Sequence, residues 1–210
     1  MRVVRWFIAL VILAGICWWF PLFHVATMKT ATAEKAAVTF NATVFAETYW
    51  TNQLLASFAK TVKADLLLPA IQADSGAAKI KFARSLGLSA SYFYFVSGSG
   101  HVVAVSDDEV SLAIMPASTN TEVSLQTGLV FGNALRDGTG LLNTSDYPNS
   151  QDFNDISAAL NHLVEARVLP KLREQAKVGA NMSFVGCAEV DDETTDLKPL
   201  KVIPIQTEVQ

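Results

Sequence analysis

Ser97-Gly98-Ser99-Gly100-His101 gathers serine, glycine and histidine within five residues, and so invites a test as a nucleophile elbow. The spacing fails it. Gly-x-Ser-x-Gly needs a glycine two residues before the nucleophile, but Ser97 holds that place before Ser99, and His101 stands two residues beyond. Flanked by aromatic and β-branched residues, the segment reads instead as the turn of a hairpin.

Other chemistries find equally little support. Past the N-terminal segment the histidines are His101 and His162, neither in an HExxH pattern, so no metal set is expected. Asp107-Asp108-Glu109 and Asp191-Asp192-Glu193 lack the alternating carboxylates and central glycine of a calcium loop and read as solvated turns. Any two of the 20 acids could converge as a glycosidase pair, but nothing singles a pair out. Lys171, Arg173 and Lys177 form a basic face that complements a helix C-terminus. No phosphate loop or dinucleotide fingerprint occurs, and no cofactor is expected. Cys17 and Cys187 lie in separate apolar stretches, so no disulfide is expected and Cys187 reads as a small buried hydrophobe.

The segment with the most specific geometry is residues 128–138, Gly-Leu-Val-Phe-Gly-Asn-Ala-Leu-Arg-Asp-Gly. Gly128 and Gly132 permit positive φ or close backbone approach, and Arg136 offers a planar fork that matches a carboxylate or phosphate. Gly128, Gly132, Asn133, Arg136 and Asp137 are therefore the candidate site, read as a structural turn locked by Arg136 in preference to a ligand site.

These residues must be positioned by the rest of a 210-residue chain that is 50% hydrophobic and only 17% charged. Disorder is excluded by that composition. The net charge of −4 provides no basic field for a phosphate backbone, so nucleic acid is not an expected partner. Much of the apolar excess lies in residues 6–25, interrupted only by Gly15, Pro21 and His24. About 20 residues at about 1.5 Å rise span a bilayer core, and Arg2 and Arg5 outweigh Lys29, which predicts an uncleaved signal-anchor with the C-terminal part outside. Cleavage after Ala31-Thr32-Ala33 is the rival reading, and lipidation of Cys17 a third, set back by Ile16 where a lipobox needs a small residue. The organisation is then a membrane anchor over residues 1–28, a stalk over 29–37, and a periplasmic domain over 38–210.

Within that domain, residues 38–45 alternate as a strand, while Trp50, Leu54, Phe58 and Val62 mark a helix face. A second helix is expected with Asp65 as its cap and Pro69 in its opening turn, so that residues 47–86 are mostly helical. Strands follow over 92–96 and 101–105, then around Val110 to Ile114 and Val123 to Leu125. Asn149 or Ser150 should cap a helix carrying Phe153, Ile156, Leu160, Leu163 and Val164 inward, restarted at Pro170. Two final strands flank Asp191-Asp192-Glu193. A helix placed late among antiparallel strands predicts an α+β chain: a transmembrane helix followed by a mainly antiparallel, partly open OB-like barrel with helical insertions.

Gly98-Ser99-Gly100-His101-Val102, the 128–138 segment with its Ala-Leu-Arg-Asp, the helix ending Ala158-Ala159-Leu160-Asn161, and Val202-Ile203-Pro204-Ile205 together resemble the predicted periplasmic lipoprotein family of unknown function. The resemblance covers nearly all of the exported domain and brings no catalytic residues with it. Its members commonly occur beside genes for sugar-type ABC transporters, which implies an envelope accessory role. Leu129, Phe131 and Asn133 stand here where the family pattern has proline, arginine and threonine, which weakens a shared anion site.

The expectation is a single-pass inner-membrane protein, held through residues 6–25, with its C-terminal domain in the periplasm. Its role is expected to be non-enzymatic: an accessory or ligand-binding module that assists uptake of sugar-like solutes with ABC transporter components as partners. The alternative is a cell-envelope hydrolase acting on glycosides or esters.

Overall fold

The computed structural model describes residues 40–86, 90–115, 118–147 and 149–209, together with Trp6. The anchor expected over residues 6–25, apart from Trp6, and the stalk over 29–37 lie outside the described residues.

Asn41 starts the first helix, α1 (Ala42–Tyr49), because its Oδ1 accepts the Val44 N–H at 3.0 Å and so satisfies one of the amides left open at a helix start. The strand expected over residues 38–45 is thereby corrected where it is described, because the cap wins over a weak alternation; residues 38 and 39 lie outside the described residues. The chain continues through a π turn at Trp50–Leu54 and a 3-10 turn at Leu55–Lys60, and stops where Thr61 turns extended.

Strand β1 (Val62–Lys63) leads into α2 (Ala64–Ala73) and α3 (Ser75–Phe82). Asp74 ends one and begins the next, since its N–H donates to the Ala70 carbonyl while its side chain accepts the Ala77 N–H. Asp65 is not the cap of α2 but sits in its first turn, which leaves Pro69 inside the helix instead of in the opening turn. The short β2 (Arg84–Ser85) then pairs with the start of β3 (Tyr92–Val105).

The hairpin expected at residues 92–105 is one unbroken strand, β3. Ser97 to Gly100 run straight through it, paired with β6 (Asn181–Val190) in register from Tyr92↔Val190 to His101↔Asn181. Its glycines serve close packing instead of a turn. A Cβ on Gly98 would stand 2.8 Å from the Ala64 methyl and 3.0 Å from the Phe184 ring, and one on Gly100 would run into the Ala113 carbonyl.

Beyond β3 come β4 (Glu109–Ala113) and β5 (Val123–Gln126), then α4 (Ala134–Asp137), a 3-10 turn at Thr144–Asp146, α5 (Ser150–Arg167) and α6 (Leu169–Gln175). After β6, α7 (Glu193–Asp196) leads to β7 (Leu200–Val209). The sheet has seven strands, with β3–β4, β4–β5, β7–β6 and β3–β6 antiparallel and β5–β7 parallel. These pairings return to their start, so β3, β4, β5, β7 and β6 each have two neighbours within the circuit, and β3 pairs with β1 and β2 besides. The expected fold is corrected on two points. The circuit of pairings is not the partly open arrangement foreseen, and the expected transmembrane helix has no counterpart among the described residues, where no helix is long and apolar enough to cross a membrane; residues 6–25 themselves, apart from Trp6, lie outside them.

Tyr94, Val96, Leu112, Leu125, Phe184 and Val202 fill the inside of this circuit, with Leu67 and Ile71 of α2 and Leu172 of α6 packed on the same cluster. Helix α5 is capped by Asn149, whose Oδ1 accepts the Asp152 N–H at 2.7 Å. Phe153, Ile156, Leu160, Leu163 and Val164 are all buried, as their spacing requires, and Pro170 opens α6. Glu47 of α1 and Arg167 of α5 tie these two helices with hydrogen bonds of 2.6 and 2.7 Å.

Candidate functional site

Residues 128–138 run from the end of β5 across α5 to β6. At the start, the Gly128 N–H donates to the Asp108 carbonyl, which fastens the end of β5 to the preceding turn. Val130 is buried and donates its N–H to Glu165 of α5 at 2.9 Å, while Leu129 and Phe131 on either side project into solvent, 77% and 74% exposed.

Three side chains from two elements then fix the next turn. Asn161 Nδ2 donates to the Gly132 carbonyl at 3.1 Å, Ser157 Oγ bonds Asn133 Oδ1 at 2.9 Å, and the Asn133 N–H donates to Glu189 of β6 at 3.1 Å. Gly132 has φ +80°, the left-handed region, and a Cβ there would sit 2.7 Å from Glu189 Oε2, so both backbone and space call for glycine. Burial pushes the Glu189 carboxyl above its ordinary range, an effect the Asn133 N–H partly opposes.

Arg136 and Asp137 are buried in the single turn of α4. The guanidinium holds the neighbouring carboxylate by both arms, Nε to Oδ1 at 2.6 Å and a terminal nitrogen to Oδ2 at 2.8 Å. Its other terminal nitrogen donates to the Phe153 carbonyl at 3.2 Å, and the group lies 3.8 Å from the centre of the Phe153 ring. The fork is therefore occupied by this chain's own carboxylate.

The five candidate residues do not share one surface. Gly132 and Asn133 line an open depression of about 590 Å³ between this segment and α5, whereas Arg136 and Asp137 lie beneath it and Gly128 beside the 107–108 turn. Asn154, Ser157, Asn161, His162 and Glu165 of α5 line the depression together with the exposed apolar Leu129 and Phe131. Asn161 Oδ1 is buried and has no hydrogen-bond partner among the described residues. Sequence reasoning missed this helical lining. The available signal was a polar stripe at positions 154, 157, 161 and 165, spaced by three and four residues alongside the apolar stripe. Nothing local marked Glu189, which arrives from another strand.

The remaining motifs fall elsewhere. Ser99 and His101 are strand residues, so the strand-to-helix turn of a nucleophile elbow is not formed there. Asp192 caps α7, and Glu193 accepts from Ser75 and the Tyr92 hydroxyl, so that acidic turn is tied to the body of the domain. Arg173 donates to the Thr127 carbonyl. Cys187 is completely buried, and burial pushes its thiol far above the usual range, which makes it unreactive. Among the described residues no three His, Cys, Asp or Glu side chains group as metal ligands.

The circuit of strands and the helix between β5 and β6 place the domain with OB-fold proteins. It is similar to the crystal structure of an OB-fold protein from Thermotoga maritima at 24% identity and a TM-score of 0.72, over 82% of this chain and 100% of the other. No curated protein matches the chain. The model of the predicted periplasmic lipoprotein family (DUF2291) matches residues 6–208, and the chain belongs to that family.

That membership corrects the expected localisation. A periplasmic lipoprotein is held by lipid on a cysteine, so the single-pass inner-membrane anchor read from residues 6–25 is withdrawn. Of the two cysteines, Cys187 is buried in the sheet, and Cys17 lies outside the described residues.

Proposed function

We propose that this lipoprotein is a non-enzymatic ligand-binding module that assists uptake of sugar-like solutes, with the subunits of a sugar-type ABC transporter as its partners. The observation that carries the reading is the depression beside α5, which an exposed aromatic ring, Phe131, lines together with the exposed amide of Asn154 and with Asn161, whose buried Oδ1 has no hydrogen-bond partner among the described residues. A polyhydroxylated solute presents the matching chemistry: C–H faces for the ring and hydroxyls for the amides. Arg136 cannot add an anion site, because its fork is filled by Asp137.

Calorimetric titration with a panel of mono- and disaccharides tests this. A sugar should bind to the protein and lose about ten-fold in affinity in Phe131→Ala, with the unfolding midpoint unchanged because the ring is exposed. No binding by any sugar, or binding indifferent to Phe131→Ala, would refute the assignment of this site. Recovery of transporter subunits after cross-linking in membranes is the expected result for the partner.

A further inference from the structure

A second cleft, of about 460 Å³, lies across β3, β6 and β7, away from the segment discussed so far. Register places its groups. Ser99 of β3 pairs with Ser183 of β6, and Val185 of β6 pairs with both Ser97 of β3 and Gln206 of β7, so hydroxyl and amide side chains form one strip across three strands. At one end, Lys63 of β1 pairs with Ser97, and Asp65 follows in the first turn of α2.

This cleft is lined by groups left open. Among the described residues the side chains of Lys63, Asp65, Ser99, Ser183 and Gln206 make no hydrogen bond or ion pair, and Lys63 and Asp65 do not bridge each other although only Ala64 separates them. Ser97 is only 5% exposed and shares a 2.8 Å hydrogen bond with Thr61, which fixes its hydroxyl in the wall. No exposed aromatic ring lines the cleft, since Phe184 is turned into the core.

One free cation and one free anion beside a neutral hydrogen-bonding strip select for a ligand with the same charges reversed. A carboxylate on the ligand meets Lys63, an ammonium meets Asp65, and small polar substituents meet the serines and Gln206. A neutral sugar leaves both charges unmatched and finds no ring to stack on, and a phosphate dianion is opposed by Asp65. We propose that this cleft binds a small amino-acid-like zwitterion, at a site separate from the sugar-binding depression.

The test is calorimetric titration of the full chain in detergent with serine, serinamide, N-acetylserine and glucose. Serine should bind, and serinamide and N-acetylserine, each lacking one charge, should bind about ten-fold more weakly. In Lys63→Met the preference for serine over serinamide should vanish, and in Asp65→Asn the preference over N-acetylserine should vanish. Both side chains are exposed, so these variants fold. Absence of serine binding up to about 10 mM, binding that ignores both substitutions, or glucose competing for the same cleft would each overturn the proposal. Phe131→Ala should leave serine binding unchanged, which separates this outcome from the fate of the sugar site.

Discussion

Removing the Arg136 side chain leaves the Asp137 carboxylate in place with its side chain 6% exposed and its one cation among the described residues gone. Two bonds to that carboxylate, at 2.6 and 2.8 Å, disappear together with the bond to the Phe153 carbonyl and the contact with its ring. Breaking a buried pair from one side costs about 3–5 kcal/mol, because the surviving charge is left without compensation. That is more than the roughly 1–3 kcal/mol of an uncharged acceptor left unpaired, and a large share of the 5–15 kcal/mol by which domains of this size are stable. Arg136→Lys restores charge but not the fork, so it should still cost about 2 kcal/mol. Removing both partners in Arg136→Ala/Asp137→Ala eliminates the stranded charge, and the cycle should show a coupling of about 3 kcal/mol. Urea denaturation followed by circular dichroism measures all four species. A coupling below about 0.5 kcal/mol, or an Arg136→Ala cost under about 1 kcal/mol, would refute the argument that this pair is a structural lock.

Gly132→Ala should destabilise by more than Gly179→Ala: both have positive φ, worth about 1–2 kcal/mol, but only at Gly132 does the new methyl meet a neighbour, Glu189 Oε2. Equal urea midpoints for the two variants would show that the Glu189 contact contributes nothing. Glu189 itself predicts a pH dependence. Its folded pKa lies above the ordinary 4.5, so between those values the folded chain holds more protons than the unfolded one and stability falls as pH rises. Glu189→Gln keeps an acceptor for the Asn133 N–H but cannot ionise, so its midpoint relative to the parent should rise from about pH 4 to about pH 7, and a constant difference would refute the reasoning. Metabolic labelling with an alkyne fatty acid should mark the protein and fail in Cys17→Ser while persisting in Cys187→Ser. Undiminished label in Cys17→Ser would remove that cysteine as the attachment point.

Elements whose cause is local were legible in the sequence. Helix α5 announces itself through Asn149, three residues before the amide it caps, and through apolar positions that all prove buried. The strands β6 and β7 flank the acidic turn as expected. The segment Ser97 to Gly100 did not, because a glycine-serine run has the same local signature whether the chain reverses or merely passes close to another element. What decides between them is the approach of Ala64 and Ala113, and neither neighbour can be inferred from the run itself.

The same distinction governs the candidate site. Arg136 and Asp137 are adjacent in sequence, so their pairing could be anticipated, and the structure gives the missing half of that reading by burying both. The depression above them depends on Asn133 meeting Glu189 and Ser157, and Gly132 meeting Asn161, contacts between residues 24 to 56 positions apart. Such contacts exist only once α5 has been laid against the segment and β6 has been threaded behind it. The polar groups on α5 therefore look, in the sequence, like an ordinary solvated face. Burial of Ser157 and Asn161 against Asn133 and Gly132 makes part of that face the lining of a cleft. Arg136, expected to lock a turn in preference to binding a ligand, does pair with Asp137 beneath that turn, and on the proposed reading recognition falls to the amides and to Phe131. The pattern that the resemblance implies has arginine where Phe131 stands and proline where Leu129 stands. If the two exposed residues set which solute is accepted, then Phe131→Arg should weaken a neutral sugar and strengthen an acidic one, with no change in the unfolding midpoint. An unaltered preference would place the selective contacts on α5 alone.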